Sequence, residues 1–290
     1  MTRFVVILFW FIICSVQPSR ADGEIGYVED FSALASHYRV IHGGNIIPIQ
    51  LCMPLYNDDT IEALDDKGRV WLRLIDHPNA VVWSRADKDT KLSAIVPNIS
   101  YWSGFLDWTV ASLSPFDQQK RERVLTTIRG DGGGEFSVPL LQVEQILTAG
   151  PRVLVVGWLK PSAVAEISIT AKGGQKLVSK SKAMGGLWVS PELNLKPGKY
   201  HIVVTAGSST VSGEIGVVPN SGIPHFPVEL TQNNIPEPLR HTAQALWLAA
   251  QEGGHYRLEA LQLIANERGT RPAAVLMEAL IGGKAFALPK

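Results

Sequence analysis

The chain has 290 residues, 46% hydrophobic and 19% charged, with 27 basic residues against 27 acidic ones. That apolar content excludes a disordered chain, and a formal charge of zero offers no basic excess for counterion release from phosphates, so nucleic acid is not an expected partner. Only one strongly apolar run occurs, which excludes a polytopic membrane protein.

That run, Phe4 to Val16, follows Thr2-Arg3 and precedes Pro18-Ser19-Arg20-Ala21, placing small residues at positions minus three and minus one of a cut after Ala21. Residues 1–21 are therefore expected to be a signal peptide, and the mature chain periplasmic or otherwise exported. An uncleaved anchor is the alternative, although about 13 apolar residues fall short of a bilayer span. Cleavage removes Arg3 and Arg20, leaving a formal charge of minus two. It also removes Cys14. Cys52 then stands alone, and no intrachain disulfide is expected. The apolar stretch Ile46 to Met53 around it favours a buried structural thiol over a nucleophile.

Residues 24–108 read as a β-module. Asn57-Asp58-Asp59 and Asp65-Asp66-Lys67-Gly68 are turn chemistry, and Thr60 to Leu64 is a short strand between them. Val70, Leu72 and Leu74 share one face of a half-buried strand, with Trp71 and Arg73 on the other. The elements Gly26-Tyr27-Val28, Pro54-Leu55 through Asp59-Thr60-Ile61, and Gly68 to Leu74 resemble the FecR-like domain of bacterial envelope proteins. Its pattern is an early Gly and Val, a Pro-Leu then a Gly-Asp-x-Ile, and a valine-rich strand after a polar turn. The resemblance implies an envelope β-module. Members that regulate sigma factors carry a cytoplasmic segment ahead of a membrane helix; only Met1-Thr2-Arg3 precedes the apolar run here, so direct signalling to a cytoplasmic sigma factor is not expected.

Residues 109–149 read as a connector with one helix. Ser114-Pro115-Phe116-Asp117 starts it, since proline suits a first turn, and the glycine cluster at 130–134 stops it. Residues 150–220 carry six short runs with strand character separated by polar or glycine-rich turns, the pattern of an immunoglobulin-like β-sandwich. Leu195-Lys196-Pro197-Gly198-Lys199-Tyr200 resembles the tyrosine corner of such sandwiches, and Trp158 suits their core tryptophan position. Over residues 235–290 the period changes to that of a helix. Faces at 239–250 and 258–265, and a third helix capped by Thr270, are expected to pack on each other or on the sandwich.

The fold class expected is thus mainly β: an FecR-like β-module and an immunoglobulin-like β-sandwich, with a small α-helical C-terminal region. The seven histidines form no zinc-type spacing, and Asp58, Asp59, Asp65 and Asp66 lack the alternation of a calcium loop, so no metal or cofactor is expected. Ser179 and Lys182 spell Ser-x-x-Lys, but between predicted strands rather than on a helix, leaving a periplasmic serine hydrolase as the weakest reading. No catalytic residue is assigned. Aromatic side chains favour binding: Trp71, Tyr101, Trp102 and Trp108 are candidates for a recognition surface. The expectation is an exported, non-catalytic protein with a binding, assembly or sensory role, its partner an envelope protein or, alternatively, peptidoglycan or another cell-wall glycan.

Overall fold

The structure, a computed structural model, describes residues 24–75, 77, 79–87, 90–93, 103–126, 135–160, 164–231 and 235–289. The expected signal peptide lies outside them. With 39% strand against 31% helix, the fold is mainly β, built from several sheets and a few helices.

The first module contains β1 (Glu24–Phe31), β2 (Tyr38–His42), β3 (Asn45–Ile47), β4 (Pro54–Tyr56), β5 (Thr60–Ala63), β6 (Arg69–Leu74) and β7 (Val81–Ser84). They pair into two antiparallel sheets, ordered β4-β1-β6-β7 and β3-β2-β5. Ile25, Val28, Val40, Ile61 and Leu72 fill the core they share. In β6 the alternation follows the sequence: Val70, Leu72 and Leu74 are buried, Trp71 and Arg73 half-buried. β1 is buried on both faces. Its Tyr27 belongs, with Leu51 and Cys52, to a second and larger core that extends through the rest of the chain.

The helix that follows, α1 (Ser103–Thr126), begins well before the Ser-Pro signal and carries Pro115 in its interior. This corrects the expected start at Ser114. Leu106, Val110 and Leu113 form a stripe at helical spacing that is buried in the larger core. Proline inside a helix costs about 3 kcal/mol. Three buried aliphatic side chains, at about 1.5–3 kcal/mol each, outweigh it. The glycine cluster at 130–134 lies outside the described residues.

Next come β8 (Gln145–Thr148), β9 (Gly150–Gly157), β10 (Ala165–Ala171), β11 (Lys176–Ala183), β12 (Leu187–Leu195), β13 (Gly198–Ala206) and β14 (Ser209–Val218). They form a five-stranded sheet, β11-β10-β13-β14-β8, and a two-stranded sheet, β12-β9. Ile167, Ile202 and Ile215 from the first and Leu154, Val156 and Trp188 from the second meet in the larger core, together with Trp158. β8, which precedes the expected run of strands, pairs in parallel with β14 from Gln145↔Ile215 to Thr148↔Val218. Tyr200 behaves as expected of a tyrosine corner: its hydroxyl donates to the Lys196 carbonyl at 2.8 Å and accepts the Lys196 N–H at 3.0 Å.

Three helices close the fold: α2 (Glu237–Ala249), α3 (Arg257–Ile264) and α4 (Arg271–Ile281). Thr270 occupies the N-cap position of α4, but its hydroxyl donates backwards to the Glu267 carbonyl at 2.9 Å instead of capping. Leu246, Leu261 and Leu276 join the same core as the sandwich. Polar side chains complete the weld. Gln262 accepts the Val155 N–H at 2.7 Å and donates to the Val155 carbonyl at 2.9 Å, covering the open edge of β9. Gln145 does the reverse from the sheet, accepting the Leu258 N–H at 2.9 Å and donating to the Gly254 carbonyl at 3.3 Å. No helix among the described residues is long and apolar enough to cross a membrane.

Gly26 lies opposite Leu74 where β1 pairs with β6. A Cβ there would lie 2.3 Å from the Arg73 carbonyl oxygen. Gly26→Ala should destabilise the chain by about 1–3 kcal/mol in urea denaturation, because backbone has to move. Gly104→Ala, on α1 with nothing near its Cβ, is the control and should be neutral or stabilising by up to about 1 kcal/mol.

Candidate functional site

Two of the four expected aromatic residues, Tyr101 and Trp102, lie outside the described residues. The other two do not share a surface. Trp108 is on α1, where its Nε1 donates to the Ala287 carbonyl at 2.9 Å and its ring meets Phe105 edge-on at 5.9 Å. It is a packing residue against the larger core. Trp71 is placed differently. With Val70 and Leu72 turned into the module core, its side chain projects from the opposite face of β6 and lines a cavity of about 320 Å³. The other walls are the end of β1 and the turn after it (Asp30 to Leu34), Lys120 and Arg121 of α1, and Arg271 at the start of α4.

Charge organises the floor of this cavity. Asp117, 1% exposed, accepts from Arg121 Nε at 2.6 Å through one oxygen and from Arg271 Nε and Nη2 at 2.9 and 2.6 Å through the other. Arg121 and Asp117 are four residues apart on one helix, so a single face presents both. Arg121 then reaches β1: Nη2 donates to Asp30 at 2.6 Å, Nη1 donates to the Phe31 carbonyl, and the guanidinium lies 3.9 Å over the Phe31 ring. Lys120 pairs with Glu278 of α4. Two carboxylates and two guanidiniums thus connect three elements that are distant in sequence. The pair at positions 117 and 121 was the one part of this cluster that spacing alone could have flagged.

A second cleft, about 570 Å³, opens between the sandwich and α2 and α3. Arg152 of β9 pairs with Glu259 of α3 at 2.9 Å, and the Thr148 hydroxyl donates to the same carboxylate at 2.9 Å. On the far side His241 Nδ1 bonds Glu267 at 3.0 Å. Phe226 and Leu248 supply apolar wall between them. None of these ionisable groups was singled out by the sequence, because each pair joins residues far apart in the chain and no motif spans them. In both clefts the charges are mostly matched to one another, an arrangement that locks elements together and leaves polar walls for a ligand.

The remaining sequence candidates fall elsewhere. Ser179 and Lys182 lie on β11, an extended strand, and Lys182 is 3.4 Å from Glu166. The helical turn that a Ser-x-x-Lys pair needs is not formed. Asp58 and Asp59 turn the chain between β4 and β5. Asp59 accepts the Tyr56 N–H at 2.9 Å and contacts His42 Nδ1 at 2.6 Å; burial pushes its carboxyl up, opposed by those two contacts. Among the described residues no group of three or more His, Cys, Asp or Glu side chains is placed to hold a metal ion. Cys52 is fully buried, and burial, then the Asp117 and Glu29 carboxylates, push its thiol well up.

Two outcomes follow from this geometry. Asp117→Ala removes the carboxylate that Arg271 hydrogen-bonds and leaves Arg121 with Asp30 alone, and should lower stability by about 3–5 kcal/mol in chemical denaturation. Asp66→Ala, which removes the exposed ion pair to Arg85, should change it by less than about 1 kcal/mol. Cys52 should resist iodoacetamide in the native chain at about pH 8 and react fully once the chain is unfolded. Native-state labelling at a rate typical of a free thiol contradicts the burial described.

No family model matches the chain. No curated protein sequence matches it. Among solved structures it is similar to titin domain M4, at 13% identity over 29% of this chain and 95% of that one, with a TM-score of 0.22. The neural ectodermal development factor IMP-L2 is 10% identical over 67% of this chain and 81% of that one, TM-score 0.22. Domains 4 and 5 of the S-layer protein SbsC are 10% identical over 64% and 73%, TM-score 0.18. The fold described above rests on the strand pairings and the shared core, not on these likenesses.

Proposed function

We propose that this chain is an exported cell-envelope protein, cleaved after Ala21, that binds its target without transforming it, through an FecR-like module joined to an immunoglobulin-like sandwich. The immunoglobulin-like reading is supported by the parallel β8–β14 pair, the Tyr200 corner and the burial of Trp158. The binding site is the Trp71 cavity, and cell-wall glycan is its target. One observation carries this: Trp71 lines an open cavity with polar and charged side chains around it, whereas Trp108 packs against the larger core. An aromatic ring beside hydrogen-bonding groups is the chemistry that holds a sugar, the ring covering the C–H face while the polar groups take the hydroxyls.

Sedimentation with purified peptidoglycan tests the proposal. The bound fraction should fall at least about five-fold in Trp71→Ala, roughly 1 kcal/mol of contact energy. Trp108→Ala, which removes a packing residue, should sediment as the parent does wherever it remains folded. Undiminished sedimentation of folded Trp71→Ala rejects the site. Intact-mass measurement of the secreted chain should give Asp22 as its first residue.

A further inference from the structure

We infer that the Trp71 site continues out of its cavity and across β7, where Val82 supplies a second contact, and that its ligand is therefore a chain of sugar rings, not a single ring; the inference rests on the assignment of that cavity as the binding site. Charge does not select the ligand there. Lys120, Arg121 and Arg271 are matched by Glu278, Asp30 and Asp117, each held in an ion pair of the same network. What the cavity offers beyond those pairs is apolar surface, from Trp71, Ala33 and Leu34. At about 320 Å³ it stands near the lower limit for ligand sites, so most of a polymer has to lie outside it.

Strand pairing shows what such a chain meets next. Trp71 of β6 stands opposite Asp30 of β1 on one side and opposite Val82 of β7 on the other. Asp30 lines the cavity with Trp71, and Val82 lies beyond its wall. The three residues form a row across the sheet, perpendicular to the strands. Alternation fixes the face: Val81 and Trp83 pack on the module core, opposite Leu72 and Val70, which leaves Val82 on the outer face beside Trp71. Val82 is 51% exposed, and β7 is the last strand of its sheet. A lone exposed valine is ordinary, but one paired with a tryptophan that lines a cavity extends the apolar surface of that cavity. Neighbouring strands lie about 4.8 Å apart, comparable with the length of one sugar ring, so successive rings of a chain can rest on Trp71 and then on Val82. The next pair on the same face, Arg69 with Ser84, places polar side chains beside this ledge for the hydroxyls.

The test is chain length. Calorimetry or saturation-transfer NMR on the mature chain would use N-acetylglucosamine and its β-linked dimer, trimer and tetramer. Affinity should rise at least about ten-fold from monomer to trimer. Val82→Ser should remove most of that rise while leaving the monomer unaffected. Val82→Trp, a substitution that suits a strand and enlarges the ledge, should steepen it. Trp71→Ala should weaken every length. Equal affinity at all lengths overturns the inference, and so does a rise that neither Val82 substitution alters. Absence of binding by monomer and oligomers alike overturns it as well. Each of these results leaves Trp71-dependent sedimentation with peptidoglycan intact; loss of that dependence rejects the cavity itself, a separate result.

Discussion

A buried carboxylate has to be paired, and in this chain the pairing of Asp117 with two guanidiniums determines how the pieces meet. Asp117 is 1% exposed, and its two oxygens divide between Arg121 of its own helix and Arg271 of α4. Removing such a charge from water is tolerable only with opposite charges and hydrogen bonds close by. Two guanidiniums overcompensate one carboxylate, and Asp30 takes up part of the surplus by bonding Arg121. That last contact reaches β1. One polar node therefore fixes α1, α4 and the first module relative to one another. The same node explains why α1 passes through Pro115: a helix starting at Ser114 would put Asp117 and Arg121 in its first two turns, without the upstream stripe of Leu106, Val110 and Leu113 that seats it.

The seam between sandwich and helices solves a different problem. β9 has a partner on one side only, and an open strand edge exposes backbone groups that invite another chain. Gln262 answers with its amide, which donates and accepts at Val155 much as a neighbouring strand would. Gln145 performs the converse service, lending a sheet side chain to the α3 backbone at Leu258. Glu259 with Arg152 and Thr148 pins the other end of the contact. Helices attached in this way are part of the sandwich's structure. Residues 235–289 cannot be treated as an appendage free to dock on a partner while the sandwich stands alone, because both bury their side chains in one core.

What the sequence disclosed follows from the range over which each feature is encoded. The alternation Val70-Trp71-Leu72-Arg73-Leu74, the Tyr200 corner and the helical faces after residue 235 are written in adjacent residues, and each appears in the fold close to its expected place. Burial of Cys52 was legible from its apolar neighbours. The beginning of α1 was not, because a local Ser-Pro signal pointed one way and tertiary burial of an upstream stripe the other. β8 escaped because its first residue is a buried glutamine, which breaks the alternation that marks a strand. Trp71 was identified by residue type, but the cavity beside it was beyond reach. Its walls come from residues 30–34, 71, 120–121 and 271, and no local pattern connects them.

Placing apolar and polar contacts in this division has a consequence for where a ligand can act. β1 is the wall between the two cores, with Ile25 and Val28 on the module's side and Tyr27 on the other. Cores packed to this extent resist deformation, so movement of the module against the helices has to occur at the seam, where charged groups and half-buried side chains meet. The Trp71 cavity lies on that seam, bounded by β1, β6, α1 and α4. A group bound there would contact the first module and the helices at once. Cohesion and the walls of the cavity therefore draw on one set of charges: Asp117 holds Arg121 and Arg271, and both arginines line the cavity.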